Sequence, residues 1–392
     1  MRCGAHGLLL RPSRGAPTVD DVRLPRLPRE QYLRIAGRAL REGRLSWVVR
    51  QGVKTALVPV SDLLDRPLAG PLIANLVITY RCNNTCYQCD LPRPWFYRAR
   101  GLEELDTDGF KRVIDDLAEL GAVGINITGG EPTLRPDCFE LLAHAKRAGL
   151  YVNISTNAYN LVKPGRVEAL LATGVRGINI SLDGARAETH DRARGAPGGF
   201  ERVEKVTAEV VAARDGGKPT ITYLFVIGTE NHAEIPDLLA LASARGVDAV
   251  GFMPVFDVYR DRAPRSPDEL AAMERAVAAL REEKRGRYRG LIDNSDEYLS
   301  LFGAAWRGDP SPLKCYATYH HVLIDSYGNL FPCALPYHNG GPPLGNIREM
   351  PLRQYWTADK YQEKRRELSG CKACYWNCHT ELNLLYQRPP TA

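Results

Sequence analysis

The chain has 392 residues, 44% of them hydrophobic and 25% charged, and a formal net charge of +6. This length exceeds what one simple core usually holds, so one large domain with additions, or two domains, is expected. No apolar stretch is long enough to cross a membrane, and the apolar part of the opening MRCGAHGLLLRPSRGAP is too short for a secretory signal.

The positive charge belongs to the front of the chain. Residues 1–54 hold 12 Lys or Arg against 4 Asp or Glu, a balance of +8, so the rest of the +6 chain carries −2. Within this region QYLRIAGRALREGRLSWVVR places Leu33, Ala36, Leu40 and Trp47 along one helical side, with Arg34, Arg38, Arg41 and Arg44 mostly away from it. Such a basic helix covers the core with arginines facing water, lies on an anionic membrane, or holds a lipid or peptide. No recognisable RNA-binding module accompanies it, so no nucleic-acid partner is expected. The following VKTALVPVSDLLDRPLAG carries turn signals, and a short hairpin is expected there.

Apolar, β-branched segments come next, at 73–80, 123–128, 151–155, 176–181, 219–227 and 248–253. Helix-like segments lie near 107–120, 137–148, 164–172, 200–213, 231–245 and 267–282. Six β-α units in succession need right-handed crossovers, which curl the strands into an open doubly wound sheet or part of a barrel. Both architectures gather their sites at the carboxyl ends of the strands.

The first such end is NLVITYRCNNTCYQCDLP, with Cys82, Cys86 and Cys89 at the spacing Cys-x3-Cys-x2-Cys. Three thiolates in one short loop wrap a metal cluster but leave one iron of a four-iron cubane without a protein ligand. The plainer readings are a zinc knuckle or cysteines kept for packing. Zinc sites more often pair Cys-x2-Cys units with a fourth ligand nearby, and packing cysteines have no reason to cluster in a loop. Ten cysteines, eight of them in two groups, also favour metal binding in a reducing, cytoplasmic compartment over a disulfide scaffold.

Later strand ends add polar groups. INITGGEP brings Gly129, Gly130 and Glu131, VNISTNAYN brings Ser155, Thr156 and Asn157, and INISLDG brings Ser181 and Asp183. Capping alone explains such repetition poorly, although Asp183 before Gly184 also suits a turn. A sizeable polar ligand across the strand ends explains the whole set.

The Cys-x3-Cys-x2-Cys spacing, GGEP and SLDG together resemble the radical S-adenosylmethionine family, over roughly residues 73–260. The resemblance implies a partial (β/α)6 barrel. It implies Cys82, Cys86 and Cys89 as ligands of a [4Fe-4S] cluster whose open iron is chelated by S-adenosylmethionine. It further implies that Gly129, Gly130 and Glu131 meet the methionyl amine, that Ser155 and Asn157 lie near ribose and methionine, and that Ser181 and Asp183 occupy the fourth-strand region. Arg194, in HDRARG, matches an arginine that pairs with the methionine carboxylate, for which a guanidinium fork is well shaped. One departure is Gln88, where the family commonly has an aromatic residue against the adenine. Beyond the cluster, Trp95, Phe96 and Tyr97 are expected to form a lid or to pack over the barrel end, and Cys138 to be a buried apolar residue.

The tail holds five more cysteines. Cys315 and Cys333 bracket a hairpin with its turn at Asp325 to Gly328, and CKACYWNC supplies Cys371, Cys374 and Cys378. His320, His321 and His379 are expected to pack or hydrogen-bond. The tail resembles the short auxiliary-cluster extension of the same family, which implies one auxiliary [4Fe-4S] cluster on Cys315, Cys333, Cys371 and Cys374. The fifth thiol, Cys378, if unligated and facing the cavity, is expected to act as a catalytic hydrogen donor, which gives epimerisation.

The expected organisation is therefore a basic helical extension over 1–72, the barrel over 73–285 and a cysteine-rich α+β module over 286–392. The expected activity is hydrogen abstraction from an unactivated C–H of a small hydroxylated metabolite or lipid, with oxidation or epimerisation as outcome. Two alternatives are a peptide maturase forming a cross-link or thioether, and a non-enzymatic iron-sulfur electron carrier. Expected partners are the substrate, an external electron donor such as flavodoxin or ferredoxin, and a membrane surface touched by the basic helix.

Overall fold

A computed structural model describes residues 45–89, 103–256, 265–338 and 340–387, with isolated positions at 36, 37, 40, 41, 43 and 389. Trp95, Phe96 and Tyr97, and Leu33, Arg34, Arg38 and Arg44 of the front helix, lie outside the described residues.

Helix α1 spans Leu45–Leu63. It corrects the hairpin expected over its second half: the helix runs through Pro59, which sits near its end, where the missing N–H removes one hydrogen bond. Six parallel strands follow, β1 Ile73–Val77, β2 Gly124–Thr128, β3 Tyr151–Thr156, β4 Gly177–Ser181, β5 Thr220–Ile227 and β6 Ala249–Pro254. The crossovers are α2 Thr107–Glu119, α3 Cys138–Arg147, α4 Arg166–Ala172, α5 Ala187–Arg194, α6 Gly199–Ala213, α7 Ile235–Ala244 and α8 Pro267–Arg285. This is the expected partial (β/α) barrel.

Local chemistry sets these bounds. The Asp106 carboxylate accepts from the Gly109 N–H at 2.7 Å and starts α2, which then buries Phe110, Val113, Ile114 and Leu117 at helical spacing. Ser266 and Glu269 form a reciprocal capping box before Pro267, starting α8. Along the strands one phase is fully buried: Ala74, Leu76, Ile125, Ile127, Val152, Ile154, Ile178, Ile180, Ile221 and Tyr223 join the helices in one core. The other phase is half-buried and faces the concave side.

The tail is fused to this sheet. Strand β7, His321–Ile324, pairs parallel with β1, so that Ile73 opposes His321 and Asn75 opposes Leu323. Strand β8, Asn329–Phe331, returns antiparallel to β7 and completes the expected hairpin, and β9, Gly345–Asn346, follows. The order is β6-β5-β4-β3-β2-β1-β7-β8-β9. Cys138 is 1% exposed, as expected of a packing residue.

Candidate active site

The cysteine loop leaves the carboxyl end of β1 and is braced from several sides. Arg135 donates to the carbonyls of Ile78 (2.9 Å) and Leu105 (2.7 Å) and pairs with Asp137 at 2.6 Å. The Thr79 hydroxyl and Tyr80 N–H both donate to Glu104. Farther along, the N–H groups of Thr85 and Tyr87 donate to the carbonyls of Arg194 and Ala193, at the end of α5, each at 3.1 Å. Cys82, Cys86 and Cys89 form no disulfide and are half-buried. Burial pushes the Cys82 thiol up to about 11, against the pull of the Asn84 N–H, and Cys86 adds to the rise. Three thiols in one braced loop fit the donor set of a three-ligated cluster.

Gly129 and Gly130 are where β2 meets this loop. A Cβ on Gly129, at φ +155°, would lie 2.4 Å from the Thr79 carbonyl oxygen, and one on Gly130 would lie 2.2 Å from that of Arg81. The N–H groups of Gly130 and Glu131 donate to these two carbonyls at 2.8 Å. Glu131 has no exposed surface. Its carboxylate accepts from Thr133 N–H (3.1 Å) and hydroxyl, Thr156 hydroxyl (2.7 Å) and Asn157 N–H (2.7 Å), tying the end of β2 to the end of β3. Burial raises its pKa against these bonds. Asn157 also donates from Nδ2 to Asn83 at 3.0 Å and lies 4.0 Å from Cys82 Sγ.

Asp183, also without exposed surface, gathers the opposite side. One oxygen accepts from the Val226 N–H at 2.9 Å; the other lies 2.7 Å from Arg194 Nε and accepts from the Gln88 amide. The Asp183 N–H donates to His190 Nδ1 at 3.1 Å, and burial lowers the His190 pKa to about 4, so the ring is neutral. Arg194 Nη1 reaches within 3.8 Å of Cys86 Sγ. Burial works against the Arg194 charge, but Asp183 and the Cys86 and Cys89 sulfurs outweigh it and raise its pKa. Gln88 thus has a partner of its own, at the position where the family pattern departs.

The concave face between these two corners is lined by neutral amides and hydroxyls. Asn75, Asn126 and Asn153 are register neighbours on β1, β2 and β3, and Asn179 opposes Ser155. The Ser155 hydroxyl donates to Asn126 Oδ1 at 3.1 Å and accepts from Asn179 Nδ2 at 3.3 Å. Ser181 shares this half-buried phase on β4. The asparagine at one phase of four successive strands, in IANLV, GINIT, YVNIST and GINIS, is a signal that strand-end reasoning passed over.

The five tail cysteines are free. The Cys333 thiol is pushed well up by burial and then by Cys374, Cys315 and Cys371; Cys374 is raised by burial and then by Cys315, Cys371 and Cys378. These influences draw in all five tail thiols, a donor set that fits a multivalent cation centre. Cys378 reaches the barrel. It feels burial first, then among the other tail thiols Cys315, which leaves it at about 12, and its sulfur lies 4.0 Å from Asn75 Nδ2 on the barrel's concave face. Beside it, His321 Nε2 lies 3.1 Å from the same Asn75 Nδ2, and His379 Nε2 accepts from the Ala334 N–H at 3.2 Å. Ligand atoms of His321, Cys378 and His379 lie within 4.8 Å of one another. Sequence reasoning missed this meeting, because Asn75 and Cys378 are 303 positions apart.

Comparison with known proteins agrees with both halves of this geometry. The profile of the Radical SAM superfamily matches residues 76–242, and that of the SPASM iron-sulfur cluster-binding domain matches residues 315–379. An AdoMet-dependent heme synthase of Methanosarcina barkeri is 32% identical over 318 residues, 76% of this chain and 86% of that protein. A PqqA peptide cyclase of Ruegeria pomeroyi is 39% identical over 282 residues, 67% of this chain and 73% of that protein. The solved structure of Streptococcus suis SuiB bound to precursor peptide SuiA shares the fold at a TM-score of 0.63 and 17% identity, covering 91% of this chain and 87% of that one. These findings correct the expectation of a small hydroxylated metabolite or lipid as substrate, since peptide cyclases recur among the relatives. The non-enzymatic electron-carrier alternative is also set aside, because the relatives are enzymes of S-adenosylmethionine chemistry.

Proposed function

The chain belongs to the radical SAM superfamily, with a C-terminal module of the SPASM type, and we propose that within it this protein is a peptide maturase that forms a cross-link or thioether in its substrate. It is an enzyme whose cofactors are S-adenosylmethionine, a [4Fe-4S] cluster and an auxiliary iron-sulfur cluster. When bound, these supply hydrogen-atom abstraction from an unactivated carbon. The observation that carries the peptide reading is the extent of the match to a peptide cyclase, which spans 67% of this chain at 39% identity. The amide-lined concave face supports it, since neutral donors and acceptors suit a peptide backbone, whose groups must all find partners on leaving water.

In this reading Cys82, Cys86 and Cys89 hold the first cluster and Cys315, Cys333, Cys371 and Cys374 the auxiliary one. Gly129, Gly130 and Glu131 offer backbone groups to the methionyl amine, because the Glu131 carboxylate is engaged by Thr133, Thr156 and Asn157. Arg194 offers its Nη1 side to the methionine carboxylate while Asp183 holds Nε. Ser155, Asn157 and Ser181 orient the remaining polar groups of the cofactor. Cys378, between the tail thiols and Asn75, donates hydrogen or adjusts the auxiliary centre. The units 1–72, 73–285 and 286–392, a flavodoxin- or ferredoxin-type donor and a reducing compartment complete the proposal.

The test is anaerobic reconstitution followed by incubation with S-adenosylmethionine, reductant and short peptides encoded beside the gene. About eight irons per chain are expected for two cubanes, with a peptide product lighter by two hydrogen atoms. Four irons per chain overturn the auxiliary assignment. In a Cys378→Ala variant, retained iron with lost turnover marks a hydrogen donor, and lost iron marks a ligand. The heme synthase relative favours a second reading, a heme precursor as substrate. Unmodified peptides together with consumption of a porphyrin precursor, read by absorbance, decide for it.

A further inference from the structure

Helix α1 presents its apolar side outward. Leu45, Val49 and Val53, at steps of four, are 61%, 57% and 54% exposed, and Leu40 just before the helix is 46% exposed. Gly52, Ala56, Val60 and Leu63 continue the same face at helical spacing, so it carries no charge from end to end. The opposite face docks by Val58, buried in an apolar cluster with Leu72, Tyr316 and Tyr386, and by polar groups. Lys54 is buried there and its ammonium donates to the carbonyls of Leu120 (3.1 Å) and Gly121, while the buried Ser61 hydroxyl accepts from the Leu68 N–H at 3.0 Å. A helix that only covers a core leaves no second, exposed apolar stripe.

The sequence that leads into this face is basic, which is complementary to one kind of surface. Residues 1–54 carry 12 basic against 4 acidic side chains, and Arg41 and Arg50 beside the stripe are exposed. No helix among the described residues is long and apolar enough to cross a membrane. An outward apolar stripe in a basic segment too short-ranged in hydropathy to span is the composition of a helix that lies in the headgroup plane. We propose that α1 docks on an anionic lipid surface, with Leu45, Val49 and Val53 in the acyl boundary and the flanking arginines on lipid phosphates. The contact holds the open strand ends of the enzyme beside a membrane and is independent of which substrate the site takes.

The experiment is co-sedimentation of the full, reconstituted chain with phosphatidylglycerol-containing vesicles and with pure phosphatidylcholine vesicles. Binding to the anionic vesicles alone is expected. It weakens by about tenfold or more in a Leu45→Ser/Val49→Ser/Val53→Ser variant, in an Arg41→Glu/Arg50→Glu variant, and on raising salt. Iron content and S-adenosylmethionine cleavage stay at the parent level in both variants, which separates lost docking from lost folding. Unchanged binding by the triple variant, or equal binding to neutral vesicles, overturns the proposal. So does an absence of vesicle binding with concentration-dependent dimers that the triple variant abolishes, because the stripe then meets a second copy of the chain. Capture of an apolar peptide on the stripe in place of vesicles overturns it as well.

Discussion

Asp183 holds five neighbours with one carboxyl group and its own backbone: Arg194, Gln88, Val226, His190 and Asn231. Replacing it with asparagine leaves the Arg194 guanidinium buried without its counter-charge, a change that typically costs about 3–5 kcal/mol. Asp183→Asn is therefore expected to lower the thermal midpoint and to release iron from the first cysteine loop, whose Thr85 and Tyr87 hang on the α5 end that Arg194 closes. Gln88→Leu is expected to cost only about 1 kcal/mol, the worth of one hydrogen bond. Iron retention and a midpoint equal to the parent's in Asp183→Asn remove this pair from any bracing role. The role of Asp183 was legible as far as a polar strand end. Its partners were not, because Gln88 reads locally as a departure from pattern and only the fold shows what it reaches.

At the scale of elements, α5 decides the posture of the cysteine loop. It ends at Gly195, with φ +56°, where an added Cβ would sit 2.2 Å from the Thr85 hydroxyl and 2.8 Å from its carbonyl oxygen. Gly195→Ala is expected to lose more stability than Gly165→Ala, which has φ +75° but nothing within 4 Å of the new atom. The open site carries only the left-handed backbone cost of roughly 1 kcal/mol. Chemical denaturation and iron counts of the two variants measure the difference, and equal losses mean that the loop yields freely. Sequence periodicity did not separate α5 from the strand end before it, because its buried residues are only Thr189, His190 and Ala193. Without an apolar stripe a helix has no sequence period to read. The hairpin expected at 53–70 failed for the opposite reason: Pro59 is a turn signal, yet the docked polar face of α1 continues past it.

The whole molecule couples its two cysteine groups through the β1–β7 pairing, and its stability carries a pH signature from buried, neutral imidazoles. His190 and His320 are 2% and 0% exposed, and burial lowers each from 6.5 to about 4. The unfolded chain takes up these protons below about pH 6.5 while the folded chain does not, so their contribution is fully present above that pH and declines as pH falls towards 4. At pH 5 the loss is of order 2 kcal/mol for each ring. Denaturation midpoints at pH 7 and pH 5 are expected to fall in that direction, with a smaller fall in His190→Gln. A pH-independent midpoint shows that these rings titrate freely.

The sequence by itself determined the six-fold β-α alternation, because each strand's period of two and each helix's stripe are local properties of the chain. It determined the chemistry of both cysteine groups for the same reason, since ligand spacing within a loop or hairpin is fixed by a few residues. Only the tertiary structure decided that β7 pairs beside β1, because register between Ile73 and His321 leaves no local trace. From that pairing come the approach of Cys378 to Asn75 and the continuity of the tail with the barrel. The outward face of α1 was decided there too: its pattern fits a buried helix equally well, and the docking of Lys54, Val58 and Ser61 shows which side the molecule keeps.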